Sequence, residues 1–257
     1  MDLHLGGKIG IVTGASRGIG RAIAEALAAE GMQLTLVARS GDQLAELAKS
    51  LPTLSLVHAA DLRDPAVPEA VVAATLRRFG RIDLLVNNAG ATSRGDFLNL
   101  TEADWQDGFA LKFFGAMRCC RSAWSHLRAT QGSIINIVGV GGRTGSAEFA
   151  IGGAVNAALL NLTKVLADRG VGEGVRVNAL NPGAIVTDRL RRRIERLAAE
   201  KGLDLDAAAA EMAKTLNVSR FGGAAEVAAA VAFLASPLAG YCQGAVLDID
   251  GGQTRTL

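Results

Sequence analysis

Thr13-Gly14-Ala15-Ser16-Arg17-Gly18-Ile19-Gly20 separates two kinds of sequence, and the change across it decides the fold. Before it, residues 9–12 are a short apolar run that reads as a strand. After it, Ile19, Ile23 and Leu27 recur at steps of four over residues 18–30, the period of an amphipathic helix. Glycines between a strand and a helix permit a tight turn and let the backbone approach a pyrophosphate. The free N–H groups and the positive helix end then hold its charge. Gly14, Ser16, Arg17, Gly18, Ile19 and Gly20 are therefore candidate nucleotide contacts; the alternative is a glycine-rich turn that binds nothing.

Outward from this turn the same alternation continues. Strand-like runs are expected at 34–38, 54–57, 82–86, 133–138, 175–180 and 245–249. Helices are expected at 42–50, at 65–79 with a kink near Pro68, at 101–128, at 152–168 and at 225–234. Strands without in/out alternation, each separated by a helix, indicate a parallel sheet covered on both faces. The expected architecture is an α/β, Rossmann-type doubly wound fold with a seven-stranded parallel sheet flanked by helices. No repeat or linker interrupts it, so residues 1–257 read as one domain, with a variable substrate or lid segment at about 188–216.

Composition limits the chemistry. Of 257 residues, one is Tyr and three are His, which caps the phenols and imidazoles that any catalytic scheme can use. Lys plus Arg is 27 and Asp plus Glu is 25; a formal charge of +2 gives no support for a nucleic-acid or membrane-surface partner. The arginine-rich stretch 189–196 carries an apolar face of Leu190, Ile194 and Leu197, which suits a lid helix better than a nucleic-acid contact. Cys119, Cys120 and Cys242 make an odd number with no CxxC pair, and no cluster has metal-ligand spacing. A cytoplasmic protein without disulfide, metal or secretory leader is the expectation.

The spacing of Gly14, Gly18 and Gly20 resembles the TGxxxGxG turn of the classical short-chain dehydrogenase/reductase family. Asn87-Asn88-Ala89-Gly90 is similar to its NNAG motif, and Asn181-Pro182-Gly183 with Thr187 to its segment around the nicotinamide. Val246-Leu247-Asp248-Ile249-Asp250-Gly251-Gly252 is similar to its last strand, so the resemblance spans residues 7–252. It implies cofactor contacts at Asp61, Leu62, Asn88, Ala89, Gly90, Asn156, Pro182, Gly183, Ile185 and Thr187. It also implies a homotetramer or homodimer packed through the helices at 101–128 and 152–168. After the second strand, enzymes that read the 2′-OH of NAD place an acid. Here Ala38 is followed by Arg39, and Arg17 adds a second guanidinium, which favours NADP(H) over NAD(H).

The catalytic positions depart from the family. Its Asn-Ser-Tyr-Lys set maps onto Lys112, Gly139, Gly152 and Asn156. The sole tyrosine, Tyr241, belongs to the final segment and reads as a partly buried aromatic. Lys112 is the candidate acid, base or oxyanion donor, reaching toward Asn156, which in turn can bond a ribose hydroxyl. Gly139 and Gly152 are expected to leave empty volume, and Arg143, Glu148 and Asp188 are candidate substrate contacts. The reading is an atypical NADP(H)-dependent oxidoreductase acting on a small, moderately apolar carbonyl or alcohol. A non-redox lyase or hydrolase on the same scaffold, or a nucleotide-binding regulatory protein, remain the alternatives.

Overall fold

The apolar run before the glycine turn forms strand β1 (Ile9–Thr13), fully buried, and the turn opens helix α1 (Gly18–Ala29). There follow β2 (Gln33–Ala38), α2 (Gly41–Ser50), β3 (Ser55–Ala59), α3 (Val67–Phe79) and β4 (Leu84–Asn87). The second half comprises α4 (Glu102–Phe109), α5 (Ala116–Thr130), β5 (Ser133–Ile137), α6 (Ala150–Glu173) and β6 (Arg176–Pro182). Helices α7 (Asp188–Lys201), α8 (Leu205–Thr215) and α9 (Ala224–Ala235) then precede β7 (Val246–Ile249). This is a computed structural model, and it describes residues 2–255.

All seven strands pair in parallel, in the order β3-β2-β1-β4-β5-β6-β7. Ile11 lies between Thr35 of β2 and Leu85 of β4, so β1 is central. One face is covered by α1 and α9 through Ile23, Leu27, Val227 and Val231; the other is covered through Val71, Leu111, Cys119, Leu127 and Ala167. The expected doubly wound, seven-stranded sheet is the fold found. Chain order reverses between β1 and β4, and in open α/β sheets that crevice at the carboxyl ends is where ligands bind.

Three local expectations change. Pro68 lies in the first turn of α3, where a missing N–H costs nothing, so it starts the helix rather than kinking it. The helix expected at 101–128 is divided: α4 gives way to a π-helical turn at Ala110–Gly115 before α5. Tight neighbours flank the turn. A Cβ at Gly108 would lie 2.5 Å from Ile151 Cγ2, and one at Gly115 would lie 3.2 Å from the Leu62 carbonyl oxygen. Helix α6 is longer than expected and ends at Gly174 in the left-handed region. By length and composition α6 is apolar enough to cross a membrane, yet one face is packed on the sheet and buries Ile151, Val155, Asn156, Leu159 and Thr163.

Candidate functional site

A cleft of about 670 Å³ runs along the carboxyl ends of the central strands. At one end it is lined by Gly14, Ser16, Arg17, Gly18, Ile19 and Gly20, with Arg39, Ser40, Gln43, Asp61 and Leu62. The glycine requirement is steric. Gly14 has φ of +66°, and a Cβ there would meet Asn88 Nδ2 at 2.8 Å. A Cβ at Gly20 would sit 2.1 Å from the Gly14 carbonyl oxygen, so only glycine lets α1 leave the turn at this angle. Thr13 and Asn88 fix the turn. Asn88 Nδ2 donates to the carbonyls of Thr13 and Gly14, and the backbone amides of Asn88 and Ala89 donate to Thr13 Oγ1. Asn88 therefore uses its amide group on the turn itself.

The guanidiniums near this end differ in commitment. Arg39 is 65% exposed and reaches Asp61 only at 4.0 Å, whereas Asp61 is held more closely by Arg63 at 3.3 Å. Arg17 is exposed at the mouth of the turn. No carboxylate follows β2, and both arginines face the cleft. A side chain at Gly18 would press on Thr187, whose segment, with Pro182, Gly183 and Ile185, forms the far wall.

Midway along the cleft lies Lys112. The π turn carries it, and its stem crosses Gly90, where a Cβ would be 2.9 Å from Lys112 Cδ. Its Nζ donates to the Val138 carbonyl at 2.5 Å and to Asn156 Oδ1 at 2.6 Å. Asn156 is 2% exposed and passes its own Nδ2 to the Gly139 carbonyl at 3.4 Å. Burial, and secondarily the charge of Arg189, lowers the Lys112 pKa to about 7. An amine that titrates near neutrality, with two protons on fixed acceptors and a place in the cleft wall, can donate or accept a proton.

The positions of the two glycines are not empty. A Cβ on Gly152 would lie 2.0 Å from Phe149 Cζ, because the Phe149 ring occupies the space that a side chain at 152 would take. A Cβ on Gly141 would press on the same ring at 2.9 Å. Gly139 has φ of +124°, which side-chain-bearing residues rarely adopt, and its N–H donates to Asn181 Oδ1. The expected void is thus filled at Gly152 by an aromatic ring, and at Gly139 the backbone itself has a shape reserved for glycine.

Two substrate candidates lie outside the lining of this cleft. Arg143 does not line the cleft; it pairs with Asp248 at 3.2 Å, and Asp248 accepts from Asn181, so it buttresses the Gly139 strand end. Glu148 is exposed and outside the lining, although its charge acts on Arg94 and Arg193. Asp188 lies in the wall. Tyr241 is fully exposed, not partly buried, and is absent from the wall. Cys119 and Cys120 are buried free thiols, and burial pushes Cys120 up to about 12, so neither is a nucleophile. Wall residues that periodicity did not reveal include Phe149 and Arg94, whose positions outside the long helices carry no local signal; Arg189 and Arg193 come from the arginine-rich stretch expected as a helix, here α7. Among the described residues no group of three or more His, Cys, Asp or Glu is arranged to hold a metal ion.

Comparison with known proteins follows this geometry. Residues 14–254 match the family model described as enoyl-(acyl carrier protein) reductase. The chain is 36% identical to the short-chain reductase protein NovJ of Streptomyces niveus, over 96% of this chain and 94% of that protein. It is 35% identical to the 3-oxoacyl-[acyl-carrier-protein] reductase FabG of Escherichia coli, over 97% and 98% of the two chains. The structure of L-sorbose reductase from Gluconobacter frateurii, complexed with NADPH and L-sorbose, superposes with a TM-score of 0.95 at 33% identity, covering all of both chains.

Proposed function

The chain belongs to the short-chain dehydrogenase/reductase family, and from that premise we propose that it is an NADP(H)-dependent oxidoreductase with a lysine in place of the usual phenol. The cleft fits the cofactor: Gly14, Gly18 and Gly20 line it without side chains, in a turn tight against Asn88, and no side chain caps the N-terminus of α1, whose free N–H groups suit a pyrophosphate. Arg17 and Arg39, with no acid after β2, suit a 2′-phosphate better than a bare ribose hydroxyl. Asp61, Leu62, Ala89, Asn156, Pro182, Gly183, Ile185 and Thr187 complete the wall on which the dinucleotide would lie. Bound NADP(H) supplies or accepts the hydride.

The observation that carries this reading is the placement of Lys112. Its ammonium is held by the Val138 carbonyl and Asn156, and its remaining N–H is available to a substrate oxygen. During reduction Lys112 gives that proton to the developing alkoxide; in the reverse direction the neutral amine takes it back. Asn156 positions Lys112 and keeps it off the Gly139 carbonyl. Helices α7 and α8, over residues 188–216, form the variable lid, with Arg189 donating to the Gly90 carbonyl across the cleft. The substrate in this reading is a small carbonyl compound or alcohol with an apolar body. The protein would be cytoplasmic and a homodimer or homotetramer packed through α5 and α6, where Ala157 is exposed and Ala154 and Ala158 are half-buried.

The test is a titration with NADPH and NADH, followed by steady-state reduction of a carbonyl panel. NADPH should bind more tightly than NADH, and Lys112→Met should lower kcat by about 10²-fold or more while leaving NADPH affinity unchanged. Because the ammonium is the donor and its pKa is about 7, kcat for reduction should fall as pH rises through 7, and the variant should lose that dependence. Absence of binding to either nucleotide, or full turnover in the variant, overturns the reading. Binding of NADPH without turnover of any carbonyl favours a regulatory or non-redox role.

A further inference from the structure

The lid side of the cleft carries more positive charge than a dinucleotide accounts for. Arg17 and Arg39 stand at the glycine turn and at the end of β2. Beyond Lys112, Arg94, Arg189, Arg192 and Arg193 also line the wall, and the only carboxylate in this part of the lining is Asp188. Among the described residues none of the four has a salt-bridge partner within 4.0 Å. Arg189 faces Arg17 and bonds the Gly90 carbonyl, which places it on the dinucleotide side. Arg192 acts on Arg189 as a like charge and goes with it; Arg94 and Arg193 remain.

Arg94 is held in place without being neutralised. Its guanidinium lies 4.0 Å above the Phe149 ring, the ring that fills the Gly152 position and packs on Gly141. A Cβ on Gly141 would be 3.6 Å from Asn156 Nδ2, so Arg94 is one aromatic ring away from the Lys112–Asn156 pair. Arg193, projecting from α7, is close enough to disfavour the charge on Arg94, and Glu148 on the outer surface is the nearest opposing charge to both. Two unpaired like charges on one cavity wall are unfavourable until an anion sits there, and the planar fork of arginine matches a carboxylate.

We propose that the substrate is an oxo acid or hydroxy acid, with its carboxylate held by Arg94 and Arg193 and its reacting oxygen at Lys112. Phe149, Leu190 and Leu216 line the same cleft and would contact its apolar body. This assignment rests on the oxidoreductase reading for the second half of its statement, and for the first on two unpaired arginines in the cleft wall, one of them stacked on Phe149.

Binding separates the two. Titrating the apo protein and its NADPH complex with a panel of 2-oxo and 3-oxo acids, each paired with its methyl ester (phenylpyruvate and methyl phenylpyruvate, for example), measures the carboxylate's contribution directly. At least one acid should bind tenfold or more tightly than its ester, and Arg94→Gln with Arg193→Gln should remove that ratio while NADPH affinity stays unchanged. Glu148→Gln should raise acid affinity, since it removes the competing charge. If every ester binds as well as its acid, or if the ratio survives in the double variant, the proposal is overturned. Tighter binding of phosphate monoesters than of any carboxylate overturns the carboxylate assignment in particular. Acid binding without NADPH oxidation retains the anion site and overturns only the redox reading.

Discussion

Gly152 and Phe149 share one volume. At position 152 the backbone is bare, and the ring three residues earlier lies across it. Gly152→Ala should therefore destabilise by about 1–3 kcal/mol, as expected when a well-filled site is overpacked. In a Phe149→Ala background the clash is gone, and the same change should be neutral or slightly stabilising because alanine favours the helix. Urea denaturation of the four proteins in this double-mutant cycle measures the coupling; an equal cost in both backgrounds would show that the ring is not the cause. Glycine at 152 is legible in the chain by itself, whereas the ring beside it is not, because Phe149 reaches it only through the turn into α6. Lys112 was legible as a candidate for a related reason, since its residue type was out of place. Its link to Asn156, 44 positions away, depends on how the π turn and α6 approach one another.

The elements hold together at a few polar joints as well as through the apolar faces. Asp83, just before β4, is 6% exposed and accepts from the Ile9 backbone amide at the start of β1, while Arg81 covers it with two hydrogen bonds. Replacing Asp83 by Ala leaves the Ile9 N–H without its acceptor in a buried place. The loss should be about 2 kcal/mol. Chemical denaturation should show a lower midpoint with an unchanged slope; a change within error would mean that water replaces the carboxylate. Strands and helices were readable from period and from Gly or Pro punctuation because those signals are local. The break at 110–115 was not, because Gly108 and Gly115 are shaped by Ile151 and Leu62, which are remote in sequence.

At the scale of the whole molecule, the proposed nucleotide preference would come from Arg17, in the turn after β1, and Arg39, at the end of β2, which line one cleft. A ligand that binds only the folded state raises its stability by RT ln(1 + [L]/Kd). At equal concentration NADPH should therefore raise Tm more than NADH, and Arg39→Ala should bring the two shifts together. An NADH shift equal to that of NADPH in the unaltered protein would remove the preference.

The sequence by itself determined the parallel doubly wound sheet, the glycine turn and the presence of a single tyrosine, at position 241. Each of these is written in residue type and short-range spacing, where sterics and hydrophobic period act within a few residues. Tertiary structure alone decided that the Phe149 ring fills the space beside Gly152, that Arg143 pairs with Asp248, and that Arg94 and Arg193 line one cleft. Those outcomes depend on which side chains are brought together across loops and lid, and close packing fixes them only when the whole chain has folded.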